Sequence, residues 1–358
     1  MEILKVIIVA FLIIGVIDYL IGNKFGLGKE FEKGISMLGP LTLSMSGMLI
    51  IAPTILHFLT GIVHIFPDFI EPSILTSSIL ANDMGGAALS EQLCNNSDLG
   101  KFNAMVVSSM MGATVSFTIP AALGMVDKSK YKQLVFGMLC GIVTIPIGCF
   151  AGGIIAGIKI VPLIADLIPL VIISVIIAIG LYKAPDKSEK IFFVTGKIIR
   201  VITILGLVSG IIELLTGIKL IPYSDTLENT AEIIINAACV MAGAFPLIYC
   251  LSVLLKKPLI KLGNRLNINN SSAIGFISSL ATNLTTFELM KDMDNKGIIL
   301  NSAFAVSASF VFADHLAFTM AFMPEYTASV IVGKLVAGFA AIAAANEFSK
   351  VKNDIGLL

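Results

Sequence analysis

The sequence predicts an all-α membrane protein that crosses the bilayer many times. Only 13% of its 358 residues are charged, whereas 56% are hydrophobic; soluble domains have about 25% charged residues. The apolar residues form continuous runs of about 20 residues, the length of a helix that crosses the hydrocarbon layer, and they do not alternate as in a β-barrel. With a mean hydropathy of +0.95, these observations exclude a soluble enzyme, a disordered chain and a nucleic-acid binder.

Eleven apolar segments are candidates for crossing the membrane, and nine of them are long and apolar enough to do so. The third and ninth segments carry polar centres at residues 82–86 (NDMGG) and 282–286 (TNLTT), which suggest breaks in the helix. The first segment contains Asp18 and lacks a signal peptide's basic leader and cleavage site, so it is predicted to remain as a helix. In order, the segments are 3–21, 37–59, 73–91, 102–124, 133–157, 161–181, 191–216, 232–255, 272–290, 299–321 and 327–348.

The distribution of basic residues indicates whether the third and ninth segments cross. If all eleven segments cross, about 10 Lys and Arg residues lie on one side and about 11 on the other, whereas loops on the cytoplasmic side normally carry an excess. If these two segments are hairpins that return to the side from which they started, the split becomes 17 to 4. We therefore predict nine spans and two hairpins, with the N-terminus outside and the C-terminus in the cytoplasm. The residues on the basic side are Lys24, Lys29, Lys33, Lys128, Lys130, Lys132, Lys183, Lys187, Lys190, Lys256, Lys257, Lys261, Arg265, Lys291, Lys296, Lys350 and Lys352, and those on the other side are Lys5, Lys101, Lys159 and Lys219.

The two halves of the sequence resemble each other. Residues 77–82 (SSILAN) match residues 278–283 (SSLATN), and the ends of the first and seventh segments share glycine, an acid, glycine and lysine in register. Asn103 and Asn301 give a third match in the same order, although any one match could arise by chance in apolar sequence. The predicted units are a first membrane repeat at 1–158, a connector helix and cytoplasmic loop at 159–190, and a second, inverted membrane repeat at 191–358.

From the start of the first repeat to the start of the second, the predicted number of spans is odd. The second repeat is therefore inverted in the membrane relative to the first. Inverted repeats with broken helices that meet near the midplane are the architecture of secondary transporters. The predicted fold class is therefore an all-α polytopic membrane protein, an inverted-repeat transporter with about nine transmembrane helices plus two re-entrant or broken helical hairpins. Half of a hairpin rises about 15 Å, so the tips at Asp83 and Asn283 are expected to meet near the bilayer centre. Gly85 and Gly86 suit the tight turn.

Charged residues inside the predicted spans are candidates for function. A carboxylate such as Asp83 is costly within a membrane unless it has a role; if the third segment is shallow, Asp83 lies instead in an interfacial loop. In the tenth segment Asp314 could hold a cation, and His315 could relay a proton or make an ordinary packing hydrogen bond. Lys334 is expected to pair with Asp83 or Asp314, or to act in gating, unless it snorkels to the outer surface. Acidic residues near segment ends, Asp166 among them, are expected to be solvated at the interface.

Motifs of soluble enzymes and metal sites are absent from the sequence. No phosphate loop, dinucleotide fingerprint, HExxH or GxSxG occurs, and the three histidines and five cysteines lack zinc spacing. We therefore expect no enzyme activity, no cofactor, no metal and no nucleic-acid partner.

Five sequence motifs together resemble the ethanolamine utilization permease family, EutH. The combination is specific and extends over nearly the whole chain, although each motif alone is weak. The resemblance implies uptake of ethanolamine across the bacterial cytoplasmic membrane, which feeds an ammonia-lyase pathway in a microcompartment. The motifs are residues 81–86 (ANDMGG), 108–112 (SSMMG), 141–153 (GIVTIPIGCFAGG), 301–318 (NSAFAVSASFVFADHLAF) and 331–335 (IVGKL).

The candidate residues suit a small protonated amine. Ethanolamine is largely protonated at neutral pH, like a lysine side chain, so its site needs a carboxylate for the ammonium and a hydrogen-bonding group for the hydroxyl. We hypothesise that Asp83, with Asp314 second, holds the ammonium between the two tips. The candidate hydrogen-bonding residues are Asn82, Asn283, Thr285 and His315.

Other functions stay open at the level of sequence. A cation-coupled transporter of another small polar metabolite, such as an amino acid or carboxylate, would want a basic residue near the tips, and Lys334 is the one candidate. A passive channel is a further alternative. An intramembrane enzyme would need a nucleophile with a base, or a metal cluster, which the sequence lacks. Coupling to H+ or Na+ and assembly into a homo-oligomer remain open expectations.

Overall fold

The structure is a computed structural model that describes residues 2–63 and 71–354. Within these residues all regular secondary structure is helical, as the continuous apolar runs predict. The α-helices are α1 Glu2–Leu20, α2 Leu27–Ser36, α3 Leu38–Leu41, α4 Gly47–Val63, α5 Ser73–Ile79, α6 Gly86–Gln92, α7 Ser97–Phe102, α8 Ile119–Met125, α9 Tyr131–Ile155, α10 Ile160–Lys183, α11 Pro185–Thr216, α12 Leu227–Leu266, α13 Asn270–Ala281, α14 Asn283–Leu289, α15 Asn295–Ala308, α16 Asp314–Phe322 and α17 Thr327–Asp354.

Eight helical stretches within the described residues are long and apolar enough to cross a membrane. Large apolar side chains on their outer faces are exposed, for example Val161 at 78% and Leu215 at 77%. Such faces are unfavourable in water and suit contact with lipid. The prediction of a polytopic helical membrane protein is thus confirmed. The stretches are Ile3–Leu20, Leu27–Phe58, Ser97–Met125, Lys128–Ile155, Ile160–Lys183, Lys190–Thr216, Leu227–Leu254 and Pro324–Ser349.

A short helical hairpin, the first hairpin, occupies the third predicted segment. Its helices α5 and α6 are joined by one 3₁₀ turn at Asn82–Met84 and by Gly85, whose φ of 89° lies in the left-handed region. The carboxylate of Glu71, just before α5, accepts hydrogen bonds from the backbone N–H groups of Asn95 (2.8 Å) and Asn96 (3.0 Å), just beyond α6. The chain therefore leaves this hairpin beside the point where it begins.

The second hairpin, formed by α13 and α14, occupies the ninth predicted segment. The two helices are separated by Thr282, whose backbone is extended. Asn269, before α13, donates from its side chain to the carbonyl of Asp292 (2.9 Å) and from its backbone N–H to the carboxylate of Asp294 (3.0 Å). These bonds hold the start and the end of the second hairpin together.

Residues 97–125 form one helical stretch, here called the central helix, that contacts both hairpins. Its N-terminal end directly follows the first hairpin. Beyond its C-terminal end, Lys130 donates from Nζ to the carbonyls of Met290 (2.6 Å) and Lys291 (2.7 Å), at the base of the second hairpin. A stretch of 29 residues rises roughly 40 Å, so the bases of the two hairpins lie at opposite ends of it.

Both hairpin tips contact the C-terminal half of the central helix. The backbone N–H of Ala81, at the first tip, donates to the hydroxyl of Ser116 at 3.2 Å. The side-chain amide of Asn283, at the second tip, donates to the hydroxyl of Thr118 at 3.0 Å. Hairpins that start from opposite ends thus approach the same region in the interior.

The tenth segment, which the sequence predicts as one continuous span at 299–321, is interrupted. Between α15 and α16, Phe310 has a φ of 62°, and its backbone N–H donates to the carbonyl of Ser279 at 3.1 Å, while that of Phe312 donates to Leu280 at the same distance. These carbonyls belong to the last turn of α13, where the helix supplies no N–H groups to bond them. Eight rather than nine of the predicted spans are therefore long, uninterrupted helices in the described part of the chain.

Close packing of α9 against α15 and α17 forms the interior beside the tips. A Cβ atom added at Gly137 or Gly141 would overlap α15, and one at Gly148 would overlap the backbone of Gly333 in α17. Small residues at such crossings let membrane helices approach closely. The contact at Gly333 brings the next residue, Lys334, against the centre of the protein.

Candidate functional site

A chain of polar side chains lies at the tip of the first hairpin. The carboxylate of Asp83 is 3.9 Å from Nε2 of His315, and Nδ1 of His315 is 3.1 Å from Nζ of Lys334. Nζ of Lys334 also donates to the carbonyl of Ser109 at 2.6 Å. A lysine that donates to Nδ1 places the imidazole proton on Nε2, where it faces the carboxylate. The imidazole of His315 therefore lies between the carboxyl group of Asp83 and the amino group of Lys334.

Burial divides this chain into an accessible and an inaccessible end. The side chain of Asp83 is 14% exposed, whereas His315 is 3% and Lys334 is 1% exposed. The sequence alternative in which Lys334 snorkels to the surface is therefore wrong, because α17 packs this face inward. Among the described residues, Nζ of Lys334 lies within 4.0 Å of no carboxylate oxygen, neither of Asp83 nor of Asp314. The imidazole of His315 lies between Lys334 and Asp83.

The central helix supplies the carbonyl that holds Lys334. Over Asn103–Gly112 its turns are widened to π-helical geometry, a distortion that is frequent at functional sites. The hydroxyl of Ser109 donates to the carbonyl of Val106 at 3.0 Å, and the backbone carbonyl of Ser109 accepts from Lys334. The sequence places Ser109 in the 108–112 motif but does not predict this role, because the backbone oxygen and not the side chain takes part.

A cavity of about 670 Å³ opens beside the second hairpin, within the size range of small-molecule sites. Asp314 and Thr285 contribute polar groups to its wall. At its mouth, Lys33 lies 3.9 Å from the carboxylate of Glu30 and 5.1 Å from the centre of the Phe245 ring. The other aromatic residues of the wall are Phe117, Tyr249 and Phe310.

Asp314 and His315 are adjacent in sequence but face different spaces. Asp314 lines the cavity, whereas His315 points to Asp83 and Lys334, because successive residues of a helix differ by about 100° in direction. The ring of Phe310 also lines the cavity and lies 5.2 Å from the imidazole of His315. Phe310 thus stands between the cavity and the buried polar chain.

The two tip asparagines are completely buried and incompletely hydrogen-bonded. Asn82 is 0% exposed, and neither its Oδ1 nor its Nδ2 atom has a partner among the described residues. Asn283 is also 0% exposed; it donates to Thr118, but its Oδ1 atom has no partner there. A buried polar group without a partner costs about 1–3 kcal/mol, so these amides favour an additional polar group at the tips.

The structure requires glycine at both predicted turn positions, for different physical reasons. Gly85 has a positive φ, and a Cβ atom there would also overlap the side chain of Met48. Gly86 lies so close to the hydroxyl of Ser108 and the carbonyl of Leu80 that a Cβ atom would overlap both. The turn therefore brings the backbone of the first hairpin directly against the central helix.

Sequence reasoning missed a second buried polar cluster, at the base of the first hairpin. The prediction that Asp166 is solvated at the interface is wrong, because Asp166 is 1% exposed and accepts a hydrogen bond from Asn103. A signal was present: Asp166 is the only charged residue between Lys159 and Lys183. Its partner could not be inferred, because it lies 63 residues away in the chain.

The fold and the buried polar centre define a multi-pass helical membrane protein in which charged groups surround broken helices. The chain belongs to the EutH family: the family described as "Ethanolamine utilisation protein, EutH" matches residues 1–348. This confirms the resemblance found in the motifs.

Relatives of known name cover almost the whole chain. A protein of Listeria monocytogenes named "Probable ethanolamine permease EutH" is 42% identical over 96% of this chain and 92% of its own. Proteins of the same name from Salmonella typhimurium and Escherichia coli are 35% and 34% identical, each over 96% of this chain and 94% of its own. No solved structure matches the chain.

Proposed function

We propose that this protein is a carrier, and not an enzyme, that takes up protonated ethanolamine across the bacterial cytoplasmic membrane. The family and the permease names of three relatives support the substrate. The observation that carries the proposal is the position of Asp83 at the first tip. Its carboxylate is 14% exposed, and among the described residues no lysine or arginine lies within 4.0 Å of it.

Asp83 is the proposed primary partner of the ammonium. Its carboxylate is partly accessible, and His315, at 3.9 Å, lies between it and Lys334. Such a carboxylate can accept charge-assisted hydrogen bonds from a small ammonium without first breaking an ion pair. Asp314, in the cavity wall, is the second carboxylate that the ammonium meets on its path.

The hydroxyl of ethanolamine needs one donor or acceptor near Asp83. Asn82 adjoins Asp83 in the 3₁₀ turn, and its whole amide is unpartnered among the described residues. Asn283 offers a free Oδ1 atom at the opposite tip. We propose that these amides bind the hydroxyl, while Thr285 and His315 shape the path and fix the orientation of Asp83.

Alternating access by two inverted repeats is the proposed mechanism. Matched contacts support the repeat: Asn103 donates to the hydroxyl of Ser73 at 3.0 Å, and Asn301 donates to the carbonyl of Ser272 at 2.8 Å. In each half an asparagine thus bonds the first turns of a hairpin. Movement of the hairpins against the rest would open the tips to one side at a time.

Uptake of labelled ethanolamine into vesicles that contain the purified protein tests the proposal. We expect saturable uptake and counterflow, which a passive channel does not give. Asp83→Asn should abolish uptake, while the control Asp98→Asn, at an exposed position, should leave it unchanged. Unchanged uptake by the Asp83 variant would remove this residue from the site.

Competition by unlabelled compounds tests the substrate class. Short primary amines should compete, and ethylene glycol, which keeps the hydroxyls but has no charge, should not. Stronger competition by an amino acid than by ethanolamine would favour the alternative of a transporter for a zwitterion, with its carboxylate at Lys334.

A further inference from the structure

A cluster of four buried side chains, here called the base cluster, lies at the start of the first hairpin, away from the tips. Asn103 donates from Nδ2 to the hydroxyl of Ser73 at 3.0 Å and to Oδ1 of Asp166 at 3.2 Å. The hydroxyl of Ser73 lies 3.5 Å from the carboxylate of Glu71. All four residues are buried, with exposures of 6% for Glu71, 1% for Asp166 and 0% for the other two.

The two carboxylates of the base cluster differ in how well their charge is compensated. Glu71 accepts backbone hydrogen bonds from Asn95 and Asn96 in addition to the contact with Ser73. Asp166 accepts only from Asn103, and its Oδ2 atom has no partner among the described residues. Within the same residues it forms no ion pair. A buried carboxylate in this situation neutralises its charge by binding a cation or a proton.

The number of free oxygen atoms favours a proton over a metal ion. Among the residues that the structure describes, the side-chain oxygens of the base cluster without a partner are Oδ2 of Asp166 and Oδ1 of Asn103. Hard cations such as Mg²⁺ or Ca²⁺ take about six or more oxygen ligands, whereas a proton needs one oxygen. A proton on Oδ2 would leave Oδ1 free to keep its hydrogen bond from Asn103.

We propose that Asp166 binds and releases a proton during transport and thereby couples proton movement to movement of the first hairpin; this rests on the proposed function. Asp166 lies on α10, which belongs to neither predicted repeat, and it is bonded through Asn103 and Ser73 to the central helix and to the first turn of α5. Neutralisation weakens the charge-assisted bond to Asn103, which loosens the hairpin base from α10. The proton enters from water on the side of that base, occupies Oδ2, and leaves when the hairpin has moved.

Few titratable groups face Asp166 from the elements around α10. Glu71, just before α5, and Cys149, on α9, interact with it electrostatically. The helix α11 packs near the other end of α10, where Gly180 meets Ser188. In the described part of the chain, the proton on Asp166 is therefore exchanged beside one other carboxyl group, that of Glu71, whose hydrogen bonds remain in place.

Substrate-dependent proton flux tests this proposal. Vesicles that contain the wild-type protein and an enclosed pH dye should show a proton flux when ethanolamine is added, beyond the signal of empty vesicles, which reports diffusion of the neutral amine. In Asp166→Asn, which mimics the protonated side chain, the flux should fall to the level of empty vesicles, while counterflow of labelled ethanolamine persists. Asp166→Glu should restore the flux, and the control Asp98→Asn should behave like wild type.

Several results would overturn the coupling role. One is a proton flux in Asp166→Asn equal to that of wild type. Another is ethanolamine uptake by wild type that follows a Na+ gradient without proton flux. A third is aggregation of Asp166→Asn in size-exclusion chromatography, because the proposal requires that the protein tolerates a neutral side chain at this position. Absence of any ethanolamine uptake by wild type would contradict the proposed function itself, and the coupling with it. Uptake that is intact but independent of protons contradicts the coupling alone.

Discussion

Lys334 is a buried lysine whose direct partners are a backbone carbonyl and an imidazole. The carbonyl of Ser109 and Nδ1 of His315 accept its hydrogen bonds, and the charge of Asp83 acts across the imidazole. Removal of one partner from a buried pair of charged groups costs about 3–5 kcal/mol, because it leaves the other group without compensation. Lys334 therefore stabilises the tip region and fixes His315, the residue that faces Asp83.

Lys334→Met should lower both stability and uptake. The variant removes the hydrogen bonds of Lys334 to Ser109 and His315, so the thermal transition of the purified protein should fall, and ethanolamine uptake should be lost. Lys132→Met, at an exposed position, is the control. A variant with wild-type uptake would mean that the charge of Lys334 has no part in binding.

Asp314→Asn should have a milder effect than Asp83→Asn. Asp314 lines the cavity and is proposed to meet the ammonium on its path, so its loss should mainly raise the KM for uptake, by roughly tenfold or more, since a hydrogen bond to a charged group contributes about 1.5–3 kcal/mol. Initial uptake rates over a range of ethanolamine concentrations give KM and the maximal rate separately. An unchanged KM would place the path elsewhere.

The first hairpin depends on a backbone conformation that few residues other than glycine adopt. Gly85 combines a φ of 89° with a close approach to Met48, and the turn it forms positions Asn82 and Asp83. The turn and the hydrogen bond from Ala81 to Ser116 together keep the tip against the central helix.

Gly85→Ala should destabilise the protein and abolish uptake. Left-handed geometry costs an alanine roughly 1–2 kcal/mol, and the overlap with Met48 adds to this. Gly217→Ala is a matched control, because Gly217 has a φ of 72° but no atom within 4 Å of an added Cβ. The thermal transition and uptake of the two variants separate backbone strain from the overlap at the tip; equal behaviour would show that the contact with Met48 is unimportant.

At the scale of the whole molecule, the opposed hairpins require that the two ends of the central helix lie on opposite sides of the membrane. Lys101 is near the end at the first hairpin, and Lys128 is just beyond the end at the second. The excess of basic residues on the side of Lys128 predicts that this side is cytoplasmic.

Single cysteines at these two positions should be labelled from opposite sides. With the five native cysteines replaced, a membrane-impermeant reagent added to intact cells should label a cysteine at position 101 and leave one at position 128 unlabelled until the membrane is opened. The reverse pattern would contradict an N-terminus outside and a cytoplasmic C-terminus.

The sequence by itself determined the helical multi-pass class, the positions of both hairpins and the candidates at their tips. These features are local: apolar length, polar interruptions and the placement of lysine and arginine are properties of short stretches, and lipid imposes them directly. Asp83 and Gly85, for example, stand out because they interrupt an apolar run.

Only the tertiary structure decided which polar groups meet. Lys334 bonds the carbonyl of Ser109, which is 225 residues away in the chain. Asp166 accepts a hydrogen bond from Asn103 and is not exposed to water. The tenth segment is interrupted where the N–H groups of Phe310 and Phe312 bond carbonyls of α13. Each outcome depends on where distant helices cross, which close packing sets and which no short stretch of sequence encodes.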